Sequence, residues 1–153
     1  MSLRLKLGAL ALATAGLTGV LGTVATASIA QAAPLTAPAR TAALGTGELR
    51  AKLAVAFDVN AARATRAAEL ETGEAALPTF DRASALMAMA PTFRWDVTGP
   101  VTENGDTLTA TLFTSAEGYE PWTFPMSWKL IDGTWKLSSE SICEIGNFVG
   151  TGC

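Results

Sequence analysis

The chain has 153 residues, 49% hydrophobic and 16% charged, a balance that excludes a disordered polymer and admits one packed domain plus a further segment. It contains no histidine, which excludes an imidazole base, a histidine-containing triad and histidine metal ligands. The formal charge of −3 gives no reason to expect a polyanionic partner.

Residues 1–32 read as an export signal. Arg4 and Lys6 make a short positive start, and no further charge occurs until Arg40. The uncharged run is long enough to cross a bilayer of ~30 Å. Its many Gly, Thr and Ala residues, with Ala30-Gln31-Ala32 as a small-x-small cleavage site, favour removal before Ala33 over retention as an anchor. Cleavage there takes 32 of 153 residues and leaves 121, enough for one core and too few for two ordinary domains. It removes two of the 11 basic residues and none of the 14 acidic ones, moving the formal charge from −3 to −5. Binding to nucleic acid or to anionic lipid is therefore not expected, and neither is stable membrane insertion after the signal is removed. The expected location is secreted, extracellular or held at the cell envelope.

Residues 33–47, rich in Ala, Pro, Thr and Gly without hydrophobic period, read as a flexible linker, and residues 48–153 as a single domain. From Glu48 the pattern is helical: Leu49, Leu53 and Phe57 recur at four-residue spacing, with Thr46 placed to cap the first turn. A second helical stretch, residues 61–70, ends at Gly73. A third starts near Pro78 or Thr79, puts Phe80, Ala83 and Met87 on one stripe beside Leu86, and stops at Pro91.

The remainder reads as strands. Asn104-Gly105 predicts a two-residue hairpin corner that pairs Glu103 with Asp106, Val101 with Leu108, Gly99 with Ala110 and Val97 with Leu112. Counting back by twos puts Trp95 and Phe93 on the same face and Asp96 on the other. Asp132-Gly133 predicts a second corner that sets Leu130 opposite Trp135 and Trp128 opposite Leu137, with Met126, Phe124 and Trp122 extending that face. This register also places Lys129 opposite Lys136, a small like-charge conflict unless an acid intervenes. Pro125, pointing outward, predicts an edge or bulge in the third strand. Ser141-Ile142-Cys143-Glu144 matches a capping box and predicts a short terminal helix, weakened by Gly146 and ended by Gly150. Cys143 and Cys153, both in the exported part, are expected to form a structural disulfide that ties down the tail. Two thiols alone complete no zinc site, and no metal or cofactor is expected. The fold class predicted is α+β: N-terminal helices packed on a four-stranded antiparallel meander as a cone-like roll, with a short C-terminal helix.

Several runs carry a family resemblance. They are Leu49 with Lys52-Leu53, Glu71-Thr72-Gly73, Val97-Thr98-Gly99-Pro100-Val101, Gly105-Asp106 before a Thr/Ala-rich strand, and Asp132-Gly133-Thr134-Trp135-Lys136-Leu137-Ser138 leading into Ser141-Ile142-Cys143. Over residues 48–143 the chain resembles the C-terminal domain of the mycobacterial low-molecular-weight secreted antigen family of actinobacteria. The last run is also similar to the wider group of nuclear-transport-factor-two-like and cystatin-like rolls. The resemblance implies export to the medium or envelope and immune recognition in pathogenic relatives, and brings no catalytic residues. The brief linker and the second cysteine at the extreme C-terminus depart from the family's common form.

Enzymes of the roll type place an Asp or His with a Tyr inside the cone. Here Asp96 should face outward, Asp81 sits where a carboxylate complements a helix dipole, and Tyr119 lies in a loop. Glu69 and Glu71 point to different sides, with Gly73 interrupting before Glu74, so no glycosidase-like carboxylate pair is expected. Glu117 and Glu120 flank a loop without the spacing of a calcium site. What remains is the indole face, on which Trp95, Trp122, Trp128 and Trp135 either fill the core or line a cavity for an apolar ligand such as a lipid or polyketide. The expected function is a secreted, non-enzymatic binding domain for a protein, envelope component or apolar small molecule. The alternative is a small-cavity roll-type enzyme or carrier.

Overall fold

The structure, a computed structural model, describes residues 43–153, so the expected export signal and residues 33–42 of the expected linker lie outside the described residues. Among the described residues no helix is long and apolar enough to cross a membrane.

Helix α1 spans Thr46–Phe57. It starts two residues ahead of the expected boundary, and Thr46 is its first helical residue rather than its cap. Gly45 holds the cap position, with its N–H donated to Glu48 Oε2 at 2.8 Å. Leu49, Leu53 and Ala56 are buried in the core. Helix α2 is only Arg63–Ala68, shorter than its Ala-rich pattern suggests. The chain leaves the helix because backbone groups at 69–71 are taken by a strand: Leu137 N–H donates to Glu69 C=O at 2.8 Å and Glu71 N–H to Leu137 C=O at 2.9 Å. This contact covers an otherwise open sheet edge, a gain that outweighs local helix propensity.

A 3-10 turn, Gly73–Ala76, leads into α3, Leu77–Met89, with Pro78 in the first turn where its missing N–H costs nothing. Phe80 and Ala83 are buried and Leu86 packs beside them, as the stripe predicts. Asp81 has a larger task than a dipole complement. Arg66, 3% exposed, donates its Nε–H to Ala56 C=O at 3.0 Å and places Nη2 2.7 Å from Asp81 Oδ1. A buried guanidinium needs a counter-charge far more than a helix end does.

Strands β1 (Arg94–Asn104), β2 (Thr107–Ser115), β3 (Trp122–Ile131) and β4 (Thr134–Leu137) form one open antiparallel sheet in the order β1-β2-β3-β4. With the helices packed against it, the class is α+β, as expected. The second corner follows the predicted register, with Leu130 opposite Trp135 and Trp128 opposite Leu137. Asp132 and Gly133 both take positive φ, 50° and 75°, as a type I′ corner requires.

The first corner differs from expectation. Asn104 pairs with Thr107 and Glu103 with Leu108, so the corner residues are Gly105 and Asp106. Only Gly105 has positive φ there (68°), the pattern of type II′. The corner moves by one residue and the partner of Glu103 by two, from Asp106 to Leu108; the shift is absorbed between Thr98 and Thr102, after which Val97 meets Leu112 as predicted. The irregularity falls at Gly99-Pro100, where proline has no N–H for the ladder. Pro125 sits opposite Thr111, on a stretch of β3 that four-residue β4 is too short to reach, so that margin is locally an edge.

Helix α4 covers Ser139–Val149, beginning ahead of the capping box predicted at Ser141. The cap is Ser138, whose hydroxyl accepts from Ser141 N–H, and Ser138 and Ser141 both bond Ser127 of β3. Gly150, φ 80°, ends the helix as expected. Cys143 and Cys153 stand at disulfide distance, with 4.6 Å between their Cα atoms.

The Lys129/Lys136 conflict is relieved by acids from two other elements: Lys129 Nζ lies 3.2 Å from Glu71 Oε1 and 3.2 Å from Glu140 Oε2. Burial pushes the Glu71 carboxyl up, but the N–H of Ser139 and the Lys129 ammonium outweigh this and hold it below its usual 4.5. A carboxyl lowered by folding adds stability above its unfolded pKa, and that stability is lost as pH falls below about 4.5. Glu71→Gln is therefore expected to lower the urea midpoint at pH 7 and to match the parent at pH 3. An equal deficit at both pH values would show that charge has no part in the contact.

Candidate functional site

The inner face of the sheet carries Trp95, Val97, Leu108, Ala110, Leu112, Met126, Trp128, Trp135 and Leu137 in one layer, because the paired registers put each on the same side of the pleat. At the β4 end of the sheet this layer is closed. Trp128 and Trp135 are 1% and 2% exposed and pack with Leu70, Leu108 and Leu137 as core.

At the other end the helices do not close on the sheet, and a cavity of about 330 Å³ remains. Its helical wall is Ala83, Leu86 and Met87 of α3 and the α3 cap residue Ala90, with Ile145, Phe148 and Val149 of α4. Trp95, Leu112, Thr114, Trp122 and Phe124 of the strands form the opposite wall. Phe57 and Phe93 join from α1 and the turn before β1, and Ala116 and Tyr119 from the β2–β3 loop.

Seven of the chain's 11 aromatic residues border this space: Phe57, Phe93, Trp95, Tyr119, Trp122, Phe124 and Phe148. The rings brace one another at tilted angles. Phe57 lies 5.4 Å from Trp95, Trp122 lies 5.8 Å from Phe148, and Phe124 meets Phe148 edge-on at 5.1 Å. Arg50 of α1 covers the outer side of the Trp95 corner, 5.3 Å from the ring centre and 3.1 Å from Asp96. Asp96 is thus turned outward, as the alternation predicts.

Polar groups are scarce in the lining. The Thr114 hydroxyl is already used, donating to Trp122 C=O at 3.0 Å, and Tyr119 is 73% exposed at the mouth. The buried indole N–H groups of Trp122 and Trp135 find no acceptor among the described residues. Among the residues lining the cavity, Tyr119 alone carries an ionisable group, and no carboxylate or amine does. The carboxylates weighed from sequence are engaged elsewhere: Glu69 with Lys52, Glu71 with Lys129, Asp81 with Arg66 and Asp96 with Arg50. No cluster of three or more potential metal-ligating side chains occurs among the described residues, Glu117 and Glu120 included.

The four candidate tryptophans therefore divide, Trp95 and Trp122 on the cavity and Trp128 and Trp135 in the core. Sequence reading missed Phe148. Its signal was the Ile145, Phe148, Val149 spacing, which marks one face of the terminal helix that the sequence already ended at Gly150.

A family model described as low molecular weight antigen MTB12, C-terminal domain, matches residues 42–153, from just before α1 through the last cysteine. No curated protein matches the chain.

Proposed function

This chain belongs to the family of the low molecular weight antigen MTB12 C-terminal domain, and from that premise we propose that it is an exported, non-enzymatic domain that holds an apolar small molecule in the cavity between α3, α4 and the sheet. The observation that carries the reading is the lining: braced aromatic and aliphatic walls with almost no polar atoms, at a volume within the ~300–1,000 Å³ range of small-molecule sites. Transfer of each ligand methylene from water into such a space is favourable by ~0.8 kcal/mol. Acid–base chemistry would need an ionisable group facing the ligand, and the described lining supplies only Tyr119, at the mouth. Export is supported by the charge pattern of residues 1–32 and by a cysteine pair suited to an oxidising compartment.

Mass spectrometry of protein recovered from the medium of its own host tests both parts. Denatured, the chain is expected to begin at Ala33; under native conditions it is expected to carry a small molecule that leaves on heating. A chain that stays in the cell with its N-terminus intact would sink export. A bare native mass, together with no binding of a neutral apolar dye, would sink the ligand.

A further inference from the structure

We infer that the Cys143–Cys153 bridge is a redox-sensitive latch on the cavity wall, an inference that rests on the ligand-binding reading above. One face of α4 supplies Ile145, Phe148 and Val149 to the cavity, and the tail beyond α4 folds back over another part of the same helix. Thr151 N–H and Gly152 N–H both donate to Gly146 C=O, at 2.8 and 3.1 Å. The Gly152 backbone lies so close to Gly146 that any Cβ there would collide with its carbonyl oxygen. Thr151 Oγ1 also lies 3.0 Å from Thr79 Oγ1 on α3, the other helix of the wall. The tail thus staples α4 to α3, and the cysteine pair is what anchors its end. Without that anchor three terminal residues held by only a few hydrogen bonds would fray.

The anchor can be reached. Cys153 is exposed, and a second groove of about 450 Å³, lined by Thr72, Thr79, Ser139 and Glu140, runs past both cysteines. The reaction is thiol–disulfide exchange with an external dithiol. Its thiolate attacks one cysteine sulfur and displaces the other as thiolate. Its second thiol then closes the reagent's own disulfide, leaving two protein thiols, with two electrons and two protons transferred. Released, the tail no longer holds α4 on α3, and the Phe148 side of the wall loosens.

Hydrogen–deuterium exchange of the oxidised protein, the protein in excess dithiothreitol and Cys153→Ser tests this, with binding of the neutral dye N-phenyl-1-naphthylamine measured alongside. Reduction and the variant should each speed exchange of the amides at 145–150 at least tenfold, leave the β2 and β3 amides unchanged, and weaken dye binding about tenfold. Gly146→Ala keeps both cysteines. Alanine ordinarily steadies a helix, so faster exchange in this variant without reductant supports the staple, and slower exchange overturns it. Unchanged exchange on reduction overturns the latch whether or not dye binds. Faster exchange with undiminished dye affinity overturns its control of the cavity. Faster exchange with no dye bound in either state upholds the staple and overturns the ligand reading instead.

Discussion

Ala90→Trp is expected to lower affinity for an apolar probe at least tenfold, equivalent to about 1.4 kcal/mol, while the protein stays folded. Ala90 is the C-terminal cap of α3, half-buried, with its methyl on the cavity. An indole there points into existing empty space rather than into packed atoms, so it avoids the overpacking penalty of a core insertion. It brings roughly 150–250 Å² of its own apolar surface, which replaces the surface a ligand would cover. The urea midpoint should hold or rise. Val59→Trp is the matched control, since Val59 is 55% exposed and lies outside the cavity lining. Probe titration followed by tryptophan-independent fluorescence reads both. If Ala90→Trp binds as tightly as the parent, the ligand site is not this cavity.

The second large effect is on stability. Trp128→Ala should cost about 3–5 kcal/mol, a large fraction of the ~5–15 kcal/mol that holds a domain of this size together. Trp128 is 1% exposed, with Leu108 across one ladder and Leu137 across the other, so its loss leaves a hole that backbone paired on both sides cannot close. Trp95→Ala removes the same side chain from a wall that already faces empty space and water, and should cost about half as much or less. Urea unfolding followed by circular dichroism separates the two. Equal losses would contradict the division of the tryptophans into core and cavity groups.

Much of the fold was legible because strand alternation and corner chemistry constrain each other. At Asp132-Gly133 both corner residues tolerate positive φ, and the apolar partners agree, so turn and face select one register. At Asn104-Gly105 the same logic named the right face beyond the bulge and the wrong corner. Glycine permits both a I′ corner at its second position and a II′ corner at its first, and the interruption at Gly99-Pro100 lets β1 absorb either choice. The end of α2 and the start of α4 were illegible for a different reason. Glu69 and Leu70 leave the helix to meet Leu137, and Ser138 caps α4 while bonding Ser127, both contacts with residues remote in sequence. The cavity was half legible. Trp95 and Trp122 stood among the candidates, but nothing in the periodicity separated them from Trp128 and Trp135.

By itself the sequence determined the α+β class and the side of the sheet on which the indoles gather, because these follow from residue type and two-residue or four-residue spacing; the lack of histidine excluded imidazole chemistry, and the family was legible only as a resemblance carried by particular runs. Tertiary structure alone decided that Asp81 neutralises Arg66, that Glu71 and Glu140 reconcile Lys129 with Lys136, and that the inner layer is packed at one end and open at the other. Local pattern specifies which face of an element is apolar. How far apart two such faces come to rest depends on where distant segments cross them, and that spacing is what separates a filled core from a binding cavity.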